Sequence, residues 1–313
     1  MKQTDTYDVA IVGGGIGALS AGLFAAAYGL RTVIVTEIVM GGQLINLEEV
    51  VRFPGITEPI SGSELASRIE TQAIEAGAEF VFDDVTALSA QYGGFLITGL
   101  SARVRARTVI AATGATRRRL GLTGEDSLEG RGVSYCGTCD GPFFKGKAVI
   151  VVGDTDFAGR EALVVARYAS EVAIVSASDG PRLSPGTRAA IDADERIEVL
   201  GGAEVSALVE DDGLLGSVSI RRRKDGVVFD RTVSGLFVNN GLRPNSDLLG
   251  PLLTLAPDDS VPVDEGMGTT VPGLFAVGEL RSAFPGYAVT AASDSATAAA
   301  SAYEYLRVTT STG

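Results

Sequence analysis

Short apolar runs that end in glycine recur along the chain and predict the buried strands of parallel sheets. The first run covers residues 8–12 (DVAIV), and an alanine-rich helical stretch from Ala18 to Tyr28 separates it from a second run at 32–35 (TVIV). The same order of run, helical stretch and run returns over residues 148–175. Each set is typical of a βαβ unit with a right-handed crossover, so the pattern predicts two Rossmann-like domains.

The last third of the sequence does not start a third such unit. Residues 235–238 and 273–278 read as buried strands, and an alanine-rich helix is predicted from about Ala288 to Arg307. These pieces most simply return to complete the first domain. We therefore predict an α/β fold of two Rossmann-like, three-layer ββα dinucleotide-binding domains, the second inserted into the first. The predicted division is 1–118 with 244–313 for the outer domain and 119–243 for the inserted domain.

A glycine-rich turn follows the first apolar run and opens the helical stretch, which is the context that a dinucleotide fingerprint requires. Gly13 permits the tight turn, Gly15 lets a pyrophosphate approach the backbone, and Ala18 takes the small position where helix packs on strand. The helix N-terminus offers N–H groups and a partial positive charge to phosphates. Glu37, at the end of the second run, suits the ribose hydroxyls. Against a purely structural glycine turn, we expect nucleotide binding by Gly13, Gly14, Gly15, Ile16, Gly17, Ala18 and Glu37.

Two later segments favour FAD over NAD as the nucleotide in this turn. Residues 110–114 read as a strand that ends in the Ala-Thr-Gly turn at Thr113 and Gly114. Gly278-Glu279 places an acid after a strand-ending glycine, where it suits the ribityl chain of a flavin. Each segment alone is compatible with an ordinary loop, and together they are typical of a flavin-dependent disulfide reductase.

Composition narrows the function classes. The 313 residues include 45% hydrophobic and 21% charged residues, which indicates a packed globular protein. The formal net charge of −13 argues against nucleic acid as a partner. The sequence contains no histidine, which excludes Ser-His-Asp and Cys-His catalysis. The first residues lack the pattern of a signal peptide, and no apolar stretch is long enough to span a membrane, so we expect a cytoplasmic protein.

Two arginine-rich runs interrupt the acidic sequence, at 117–119 and 221–224. Runs of this kind are most often solvated residues of loops and strand edges. The alternative is a docking patch for an acidic partner protein.

Cys136 and Cys139 are the only cysteines of the chain, and two residues separate them. A tetrahedral zinc site needs two further thiolate or imidazole ligands, which this sequence does not contain, so no metal site is expected. A structural disulfide is uncommon in a cytoplasmic protein. A redox-active dithiol is therefore the favoured interpretation.

At this point the sequence closely resembles the low-molecular-weight thioredoxin reductases over nearly its whole length. The segments that carry the resemblance are 41–44 (GGQL), 53–55 (FPG), 114–115 (GA), 130–134 (GRGVS), 136–144 (CGTCDGPFF) and the region around Gly278. The cysteine segment is the most specific of these. The resemblance implies FAD as cofactor, thioredoxin or a similar disulfide as substrate, and a homodimer. It also implies a rotation between domains that alternately exposes and buries the dithiol.

The resemblance assigns roles to individual residues as well. Cys139 would be the thiol nearer the flavin, Cys136 would attack the substrate disulfide, and Asp140 would serve as acid and base for the thiols. Arg131, Phe143 and Phe144 would help to dock thioredoxin. Further cofactor-binding residues expected around FAD are Gly42, Gln43, Leu44, Val85, Thr113, Gly114, Gly278, Glu279, Tyr287 and Ala288.

The second domain departs from the family at both ends of its NADPH site. The family has a Gly-x-Gly-x-x-Ala turn for the pyrophosphate, but residues 153–158 read GDTDFA, so Thr155 replaces the second glycine. Asp154 and Asp156 add negative charge beside the expected phosphates. Where the family has a His-Arg-Arg cluster for the 2′-phosphate, residues 176–178 read SAS, and Arg182 alone does not replace it. We therefore predict that tight NADPH binding has been lost.

The flavin site departs from the family too. The family usually has Gly-Asp where this chain has Gly278-Glu279, and Arg-Gln-Ala where it has Gly286-Tyr287-Ala288. Tyr287 is suited either to stack near the isoalloxazine ring or to pack in the core.

The favoured hypothesis is a disulfide oxidoreductase resembling the NADPH-independent members: the ferredoxin-dependent flavin thioredoxin reductases, the deeply rooted thioredoxin reductases and the diflavin-linked disulfide oxidoreductases. A ferredoxin-like carrier, or a second FAD in the inserted domain, would deliver electrons through FAD to Cys136–Cys139. The alternatives are a dithiol oxidase that uses oxygen, an NAD(P)H-dependent enzyme with a degenerate nucleotide site, and a non-enzymatic redox sensor. Asp140 beside the cysteines counts against the sensor, which needs no proton shuttle.

Overall fold

The structure is a computed structural model that describes residues 6–47, 49–50 and 53–311. Residues 1–5, part of the segment on which the absence of a signal peptide was judged, lie outside the described residues. The chain divides into two compact units, Met1–Thr116 with Arg243–Gly313 (unit 1) and Arg117–Leu242 (unit 2). Within the described part of the chain, no helix is long and apolar enough to cross a membrane.

Unit 1 is built on a seven-stranded sheet in the order β3-β2-β1-β6-β5-β4, with β17 also paired to β6. Its strands are β1 (Tyr7–Val12), β2 (Thr32–Thr36), β3 (Glu79–Phe82), β4 (Val85–Gln91), β5 (Gly94–Gly99), β6 (Arg103–Ala111) and β17 (Leu274–Ala276). Its helices are α1 (Ile16–Ala27), α2 (Gly62–Glu75) and α7 (Ala288–Ser311), with 3₁₀ turns at Gly42–Asn46 and Gly278–Leu280. The short strands β7 (Ala115–Arg117) and β16 (Leu242–Pro244), in the two segments that join the units, pair with each other.

Strand β6 organises this sheet because it pairs along its length with three strands. It runs parallel to β1, with Val9 opposite Thr108 and Val12 opposite Ala111. On its other side, the first half pairs antiparallel with β5 and the last three residues pair parallel with β17. The carboxyl ends of β2, β1, β6 and β17 therefore lie along one edge, where nucleotides bind in folds of this class.

Helix α1 is apolar on nearly all sides because it is enclosed by other elements. It packs against α2 and α7 as well as against the sheet. The Ser295 hydroxyl of α7 donates to the backbone oxygen of Gly17 at 2.7 Å, within this buried contact. A Cβ on Gly22 would lie 2.4 Å from Ile34 Cδ1, so glycine allows the helix to approach β2 closely.

Unit 2 contains a five-stranded parallel sheet in the order β11-β10-β9-β15-β8 and a three-stranded antiparallel sheet, β12-β13-β14. The strands are β8 (Val133–Ser134), β9 (Ala148–Val152), β10 (Glu171–Val175), β11 (Ile197–Leu200), β12 (Ala203–Asp211), β13 (Leu214–Arg222), β14 (Val228–Thr232) and β15 (Gly235–Val238). The helices are α3 (Glu125–Leu128), α4 (Gly137–Asp140), α5 (Asp156–Val165) and α6 (Pro185–Asp192), with a 3₁₀ turn at Gly141–Phe144.

The predicted docking role of Phe144 is wrong, because this residue lies in the core of unit 2. Phe144 is 8% exposed and packs edge-on against Phe237, with 5.2 Å between the ring centroids. It is therefore a core residue, and its aromatic ring is not available to a docking protein. Phe143 is 74% exposed and Arg131 is exposed, so the docking role stays a prediction for these two residues alone.

The predicted α/β fold is confirmed, and each apolar run that was read as a strand forms one. The first predicted crossover helix begins at Ile16, two residues before its alanine-rich stretch, because it starts directly after the glycine-rich turn. The second begins at Asp156, directly after the turn at residues 153–155. The arginine-rich runs contain paired side chains: Arg119 bonds Asp126 and Glu129. This favours the interpretation of solvated, ion-paired residues over a free basic patch.

Candidate active site

Cys136 and Cys139 form a disulfide whose Cα atoms are 5.3 Å apart. The turn that carries them is helix α4, for which Cys136 is the N-cap residue. Its sulfur accepts a hydrogen bond from the backbone N–H of Cys139 at 3.2 Å. Cys136 is half-buried and Cys139 is exposed, so residue exposure alone does not select Cys136 as the thiol that attacks a substrate. That assignment rests on the family resemblance.

Ser134 connects the first cysteine to Asp140. Its hydroxyl is almost fully buried at the end of β8 and donates to Asp140 Oδ2 at 2.7 Å. The Ser134 hydroxyl oxygen also accepts a hydrogen bond from the backbone N–H of Cys136 at 3.1 Å. Asp140 is therefore oriented next to the disulfide turn, as a proton-transferring group requires. Sequence reasoning missed Ser134, although it lies within the matched segment 130–134.

Glu161 is a second residue at this turn that sequence reasoning missed. It projects from α5, is 8% exposed, and its Oε2 accepts a hydrogen bond from the Gly137 backbone N–H at 2.6 Å. Burial raises the pKa of the Glu161 carboxyl, while the hydrogen bond from Gly137 and the charges of Arg117 and Arg160 oppose that rise. An acid among the apolar positions of a crossover helix was the available signal in the sequence.

The glycine-rich turn of unit 1 has the shape that a pyrophosphate needs. Gly13 has a φ of +128°, and a Cβ there would lie 2.3 Å from the backbone oxygen of Ala112, so only glycine fits. Gly15 faces Gly42, whose Cα would be the nearest heavy atom to a Cβ on Gly15, at 3.8 Å. Gly15 is also the N-cap of α1 and, being glycine, leaves the first N–H groups of the helix open to a phosphate.

Other predicted cofactor residues lie at the same edge of the sheet. Glu37 is exposed directly after β2, and Val85 begins β4, two residues beyond Asp83, whose N–H donates to Thr36 O at 3.0 Å. Thr113 follows β6 and its hydroxyl donates to the backbone oxygen of Asn245 at 2.7 Å. The Asn245 side chain returns a hydrogen bond to Thr113 O at 2.9 Å. Asn245 thus fixes the turn at Thr113 and Gly114.

Gln43 and Glu279 meet in unit 1 although 236 positions separate them. Gln43 Nε2 donates to Glu279 Oε2 at 2.8 Å and to the backbone oxygen of Ala115 at 3.0 Å. Gln43 lies in the 3₁₀ turn Gly42–Asn46 and Glu279 in the 3₁₀ turn after β17. The predicted acid is therefore held in one orientation by a second predicted residue.

A buried ion pair between Arg281 and Asp294 contacts the backbone of Gly278, and the sequence did not predict it. Arg281 Nε and Nη2 bond the two oxygens of Asp294 at 2.7 and 3.0 Å, and the side chains are 15% and 7% exposed. The Gly278 N–H also donates to Asp294 Oδ2, at 3.2 Å. Asp294 is a charged residue within an otherwise alanine-rich helix, which was the signal for it in the sequence.

The remaining predicted residues differ in exposure. Leu44 is 5% exposed and belongs to the core of unit 1. Tyr287 is 51% exposed just before α7, which excludes the alternative of a packed core tyrosine. Ala288 begins α7, where it is half-buried.

These observations fit FAD in unit 1. A glycine cradle with an open helix N-terminus suits the pyrophosphate, Glu37 is placed for a ribose, and the Gln43–Glu279 pair offers polar groups to a sugar-alcohol chain. Within the described ranges, no three His, Cys, Asp or Glu side chains cluster so as to hold a metal ion.

The corresponding turn of unit 2, residues 153–158, contains two carboxylates that accept hydrogen bonds from other residues of the chain. Asp154 Oδ1 accepts hydrogen bonds from the Ser176 hydroxyl and from the hydroxyl and N–H of Ser178, the latter two at 2.9 and 3.2 Å. Burial opposes the ionisation of Asp154, but these hydrogen bonds outweigh it and lower the pKa. The residues that replace the family's cationic cluster therefore bind an acid of this chain.

Asp156 adds a second anion at the start of α5. Its Oδ1 accepts from the Ser184 N–H at 2.8 Å, which lowers its pKa, and Arg160 lies 3.3 Å from its other oxygen. Thr155, exposed at the N-cap of α5, forms a parallel bridge with Arg182, and the Arg182 N–H donates to Asp154 O at 2.9 Å. Backbone and carboxylate groups of the chain thus bond each other around the turn that corresponds to the family's pyrophosphate-binding turn.

The fold and these sites define a flavoprotein disulfide oxidoreductase: a nucleotide-binding α/β unit, and a second α/β unit that carries a two-residue-spaced disulfide with an adjacent carboxylate. The model of the pyridine nucleotide-disulphide oxidoreductase family matches residues 7–301, and the chain belongs to this family. Within it, the chain is of the thioredoxin reductase type.

Individual relatives agree with this assignment. The thioredoxin reductase of Treponema pallidum (strain Nichols) is 35% identical over 307 residues, which are 97% of this chain and 98% of that protein. The crystal structure of Lactococcus lactis thioredoxin reductase matches with a TM-score of 0.91 at 31% identity, over 96% of this chain and 99% of that one. The structure of T. acidophilum thioredoxin reductase matches with a TM-score of 0.87 at 30% identity, over 96% and 98%.

Proposed function

We propose that this enzyme receives electrons from a donor other than NADPH, a ferredoxin-like carrier or a second FAD in unit 2. The electrons pass through FAD to Cys136–Cys139 and on to thioredoxin or a similar disulfide protein. The single observation that carries the proposal is the pair of carboxylates, Asp154 and Asp156, in the turn where the family binds the NADPH pyrophosphate. We further propose that the enzyme works as a homodimer in the cytoplasm.

The carboxylates act against NADPH through their charge. The pKa of each is lowered, so both are ionised at neutral pH. A carboxylate about 5 Å from a phosphate charge costs about 3 kcal/mol at an effective dielectric constant of about 20, and solvent reduces this toward about 1 kcal/mol. Two such acids therefore oppose pyrophosphate binding by about 2 to 6 kcal/mol, which is roughly thirtyfold to ten-thousandfold in affinity.

The residues at the ribose end of the unit 2 site also disfavour NADPH. Ser176 and Ser178 stand where the family has cationic residues, and their hydroxyl groups are engaged by Asp154. A 2′-phosphate would have to displace a carboxylate from these serines. The cation beside them, Arg223, bonds the backbone oxygen of Ala177 at 3.2 Å and is already paired with Glu204. NADH lacks that phosphate but would still meet the acids beside its pyrophosphate. A second FAD bound in the same turn would meet them too, so the ferredoxin-like carrier is the favoured donor.

The dithiol chemistry follows from the described turn. The flavin, when bound, supplies two electrons that open the Cys136–Cys139 disulfide. The Cys136 thiolate then attacks a disulfide of the substrate protein and releases one of its sulfurs as a thiolate. Cys139 attacks the mixed disulfide, restores Cys136–Cys139 and frees the second sulfur. Asp140, held by Ser134, supplies and takes up the protons that these sulfurs exchange.

The cofactor side of the proposal assigns FAD to unit 1. Gly13 to Ala18 would hold the pyrophosphate, Glu37 a ribose, and Val85 the adenine side of the site. The predicted residues at the other ligand end are Gly42, Gln43, Leu44, Thr113, Gly114, Gly278, Glu279, Tyr287 and Ala288.

The donor is tested by anaerobic mixing. The purified yellow protein is mixed separately with NADPH, NADH and reduced ferredoxin, and bleaching of the visible flavin absorption is followed in time. We expect slow or negligible bleaching by both nicotinamides and rapid bleaching by ferredoxin. If more than one flavin per chain is counted after denaturation, a second FAD is assigned as the donor. A reaction with ferredoxin is then not required. Rapid bleaching by NADPH would overturn the proposal.

A gain of function tests the role of the turn itself. Replacing Asp154→Gly together with Thr155→Gly removes one carboxylate and restores the missing glycine, so NADPH-driven bleaching should accelerate at least about tenfold. Asp212→Gly is the matched control, because Asp212 is an exposed acid with a φ of +49° in a hairpin turn that glycine tolerates. An equal response in the control, or none in the double variant, contradicts the account of the turn.

A further inference from the structure

A carboxylate lies directly behind the redox turn, on the side where α5 packs against α4. Glu161 is 8% exposed and its Oε2 lies 2.6 Å from the backbone nitrogen of Gly137. Gly137 immediately follows Cys136, so the carboxylate bonds the peptide that carries the first redox sulfur. A buried acid is costly unless it is hydrogen-bonded or paired, and the Gly137 N–H is the hydrogen-bond donor to Glu161 in this structure.

The glycine at position 137 is explained by the same contact. A Cβ on Gly137 would lie 2.6 Å from Glu161 Oε2 and 2.9 Å from Val165 Cγ2. Any larger residue would therefore push the carboxylate away from the turn. Gly137, the first of the two residues between the cysteines, and the Glu161 side chain therefore fit each other closely.

The charged surroundings leave Glu161 partly compensated. Arg117 and Arg160 act on it electrostatically, and Arg117 is itself held by the Asn239 side chain at 2.8 Å and by the Phe157 ring at 4.8 Å. Asp140 is the charged side chain of α4. On α6, which also packs against α5, Arg188 and Asp192 lie 3.9 Å apart and are exposed.

We propose that Glu161 is a positioning residue of the dithiol, which anchors the Gly137 N–H and sets the acidity of the Cys136 thiol through its charge. This inference rests on the proposed redox role of Cys136–Cys139. Reduction by two electrons breaks the disulfide and takes up one proton, leaving a thiol and a thiolate. A neighbouring carboxylate opposes the thiolate, so a further proton from solvent binds Glu161 when the dithiol is reduced. The raised pKa of Glu161 suits that role.

The test separates the hydrogen bond from the charge. Glu161→Gln keeps an oxygen that accepts from Gly137, whereas Glu161→Ala removes both acceptor and charge; Glu195→Gln, an exposed acid of the same unit, is the control. Each is made in the flavin-loaded Cys139→Ser protein, so that Cys136 is the single thiol. The readout is the rate of alkylation by iodoacetamide as a function of pH.

We expect Glu161→Gln to lower the pH midpoint of alkylation by about one unit and to raise the neutral-pH rate several-fold, as removal of one nearby charge predicts. Glu195→Gln should leave the midpoint in place. An unchanged midpoint in Glu161→Gln, with instability only in Glu161→Ala, would leave Glu161 a purely structural residue and overturn the inference. A wild-type protein that reduces no disulfide would instead defeat the proposed function.

A second measurement does not depend on the Glu161 variants folding. The infrared difference spectrum between reduced and oxidised wild-type protein should contain the signal of a carboxyl group that gains a proton on reduction. That signal should persist in Asp140→Asn, which removes the other acid of the turn. A spectrum without it in both proteins would also overturn the inference.

Discussion

At the scale of single residues, the redox centre depends on a hydroxyl group outside the two-cysteine motif. Ser134 bonds the backbone of Cys136 and the carboxylate of Asp140 with one oxygen atom. The acid is thereby fixed relative to the turn that carries the Cys136 sulfur, whose proton we propose that it handles. Orientation of this kind matters because proton transfer requires hydrogen-bond distance in the reacting state.

Replacing Ser134→Ala should slow disulfide turnover by about tenfold and leave the bound flavin unchanged. The loss is smaller than for removing the acid itself, because Asp140 remains present but is no longer oriented. Steady-state reduction of a disulfide substrate across pH measures it, with Ser127→Ala as a control on an exposed serine of the same unit. Full activity with an unaltered pH profile would show that Ser134 does not orient Asp140.

The buried carboxylate of Glu125 links stability to pH. Its oxygens accept from the N–H groups of residues 120–122 and from the Tyr135 hydroxyl, at 2.7 to 3.3 Å. Burial opposes ionisation, but the hydrogen bonds outweigh it and lower the pKa of Glu125. The stability that this group adds is present above its unfolded pKa of about 4.3 and is lost as the pH falls through the lower folded value.

Replacing Glu125→Gln should therefore destabilise the protein by about 2 kcal/mol at pH 7, since the amide leaves donors without a charged acceptor. The difference from the wild type should shrink as the pH falls below about 4. Urea unfolding at several pH values, with Glu195→Gln beside it, measures both effects. An equal difference at every pH would contradict the assigned protonation.

The candidate residues of the redox turn were easier to find in the sequence than the residues that hold them. Cys136, Cys139 and Asp140 were recognisable because they are adjacent and belong to a specific segment. Glu161 and Asp294 were not predicted, because each acts on a residue that is distant in sequence and close only in the fold. Gln43 and Glu279 were predicted separately, but their contact across 236 positions was not.

At the scale of elements, unit 1 has the geometry of a phosphate-binding turn. In the turn between β1 and α1, Gly15 lies opposite Gly42. No side chain caps the N-terminus of α1, so its first N–H groups are open to a ligand. A side chain on Gly15 would enter the space between these two glycines, which is the space a pyrophosphate needs.

Gly15→Ala should fold normally and lose most of its FAD, with affinity lowered at least about tenfold, because its Cβ meets the ligand before it meets the protein. The visible absorbance of the purified protein and its reconstitution with FAD measure the loss. Gly186→Ala is the control, because a Cβ there would enter open space in the described part of the chain. Full flavin content in Gly15→Ala would contradict the assigned site.

Buried parallel strands were the elements easiest to predict, because both faces are covered and the strands read as unbroken apolar runs. The antiparallel sheet β12-β13-β14 was not predicted. Its strands alternate exposed and buried positions and contain many charged residues, so their hydrophobic signal is weak. The four-residue helices α3 and α4 are too short to show any periodicity.

At the scale of the whole molecule, two units of related topology have different ligand turns. Unit 1 presents glycines and a helix N-terminus, whereas unit 2 presents Asp154 and Asp156 at the equivalent position. This difference is the basis of our proposal that the chain keeps one nucleotide site, for FAD, and has lost the family's second site, for NADPH. Its net charge of −13 adds a general repulsion toward anionic ligands.

The central claim is that bound FAD exchanges electrons with the single pair of cysteines. Anaerobic titration with a chemical reductant, followed by flavin absorbance, tests it most directly. The wild type should take up about two electrons more than its counted flavins require, because the disulfide is a two-electron acceptor. Cys136→Ser should lack those extra electrons while retaining its flavin. A wild-type protein that takes up only the electrons of its flavin, or that binds no FAD, would contradict the account.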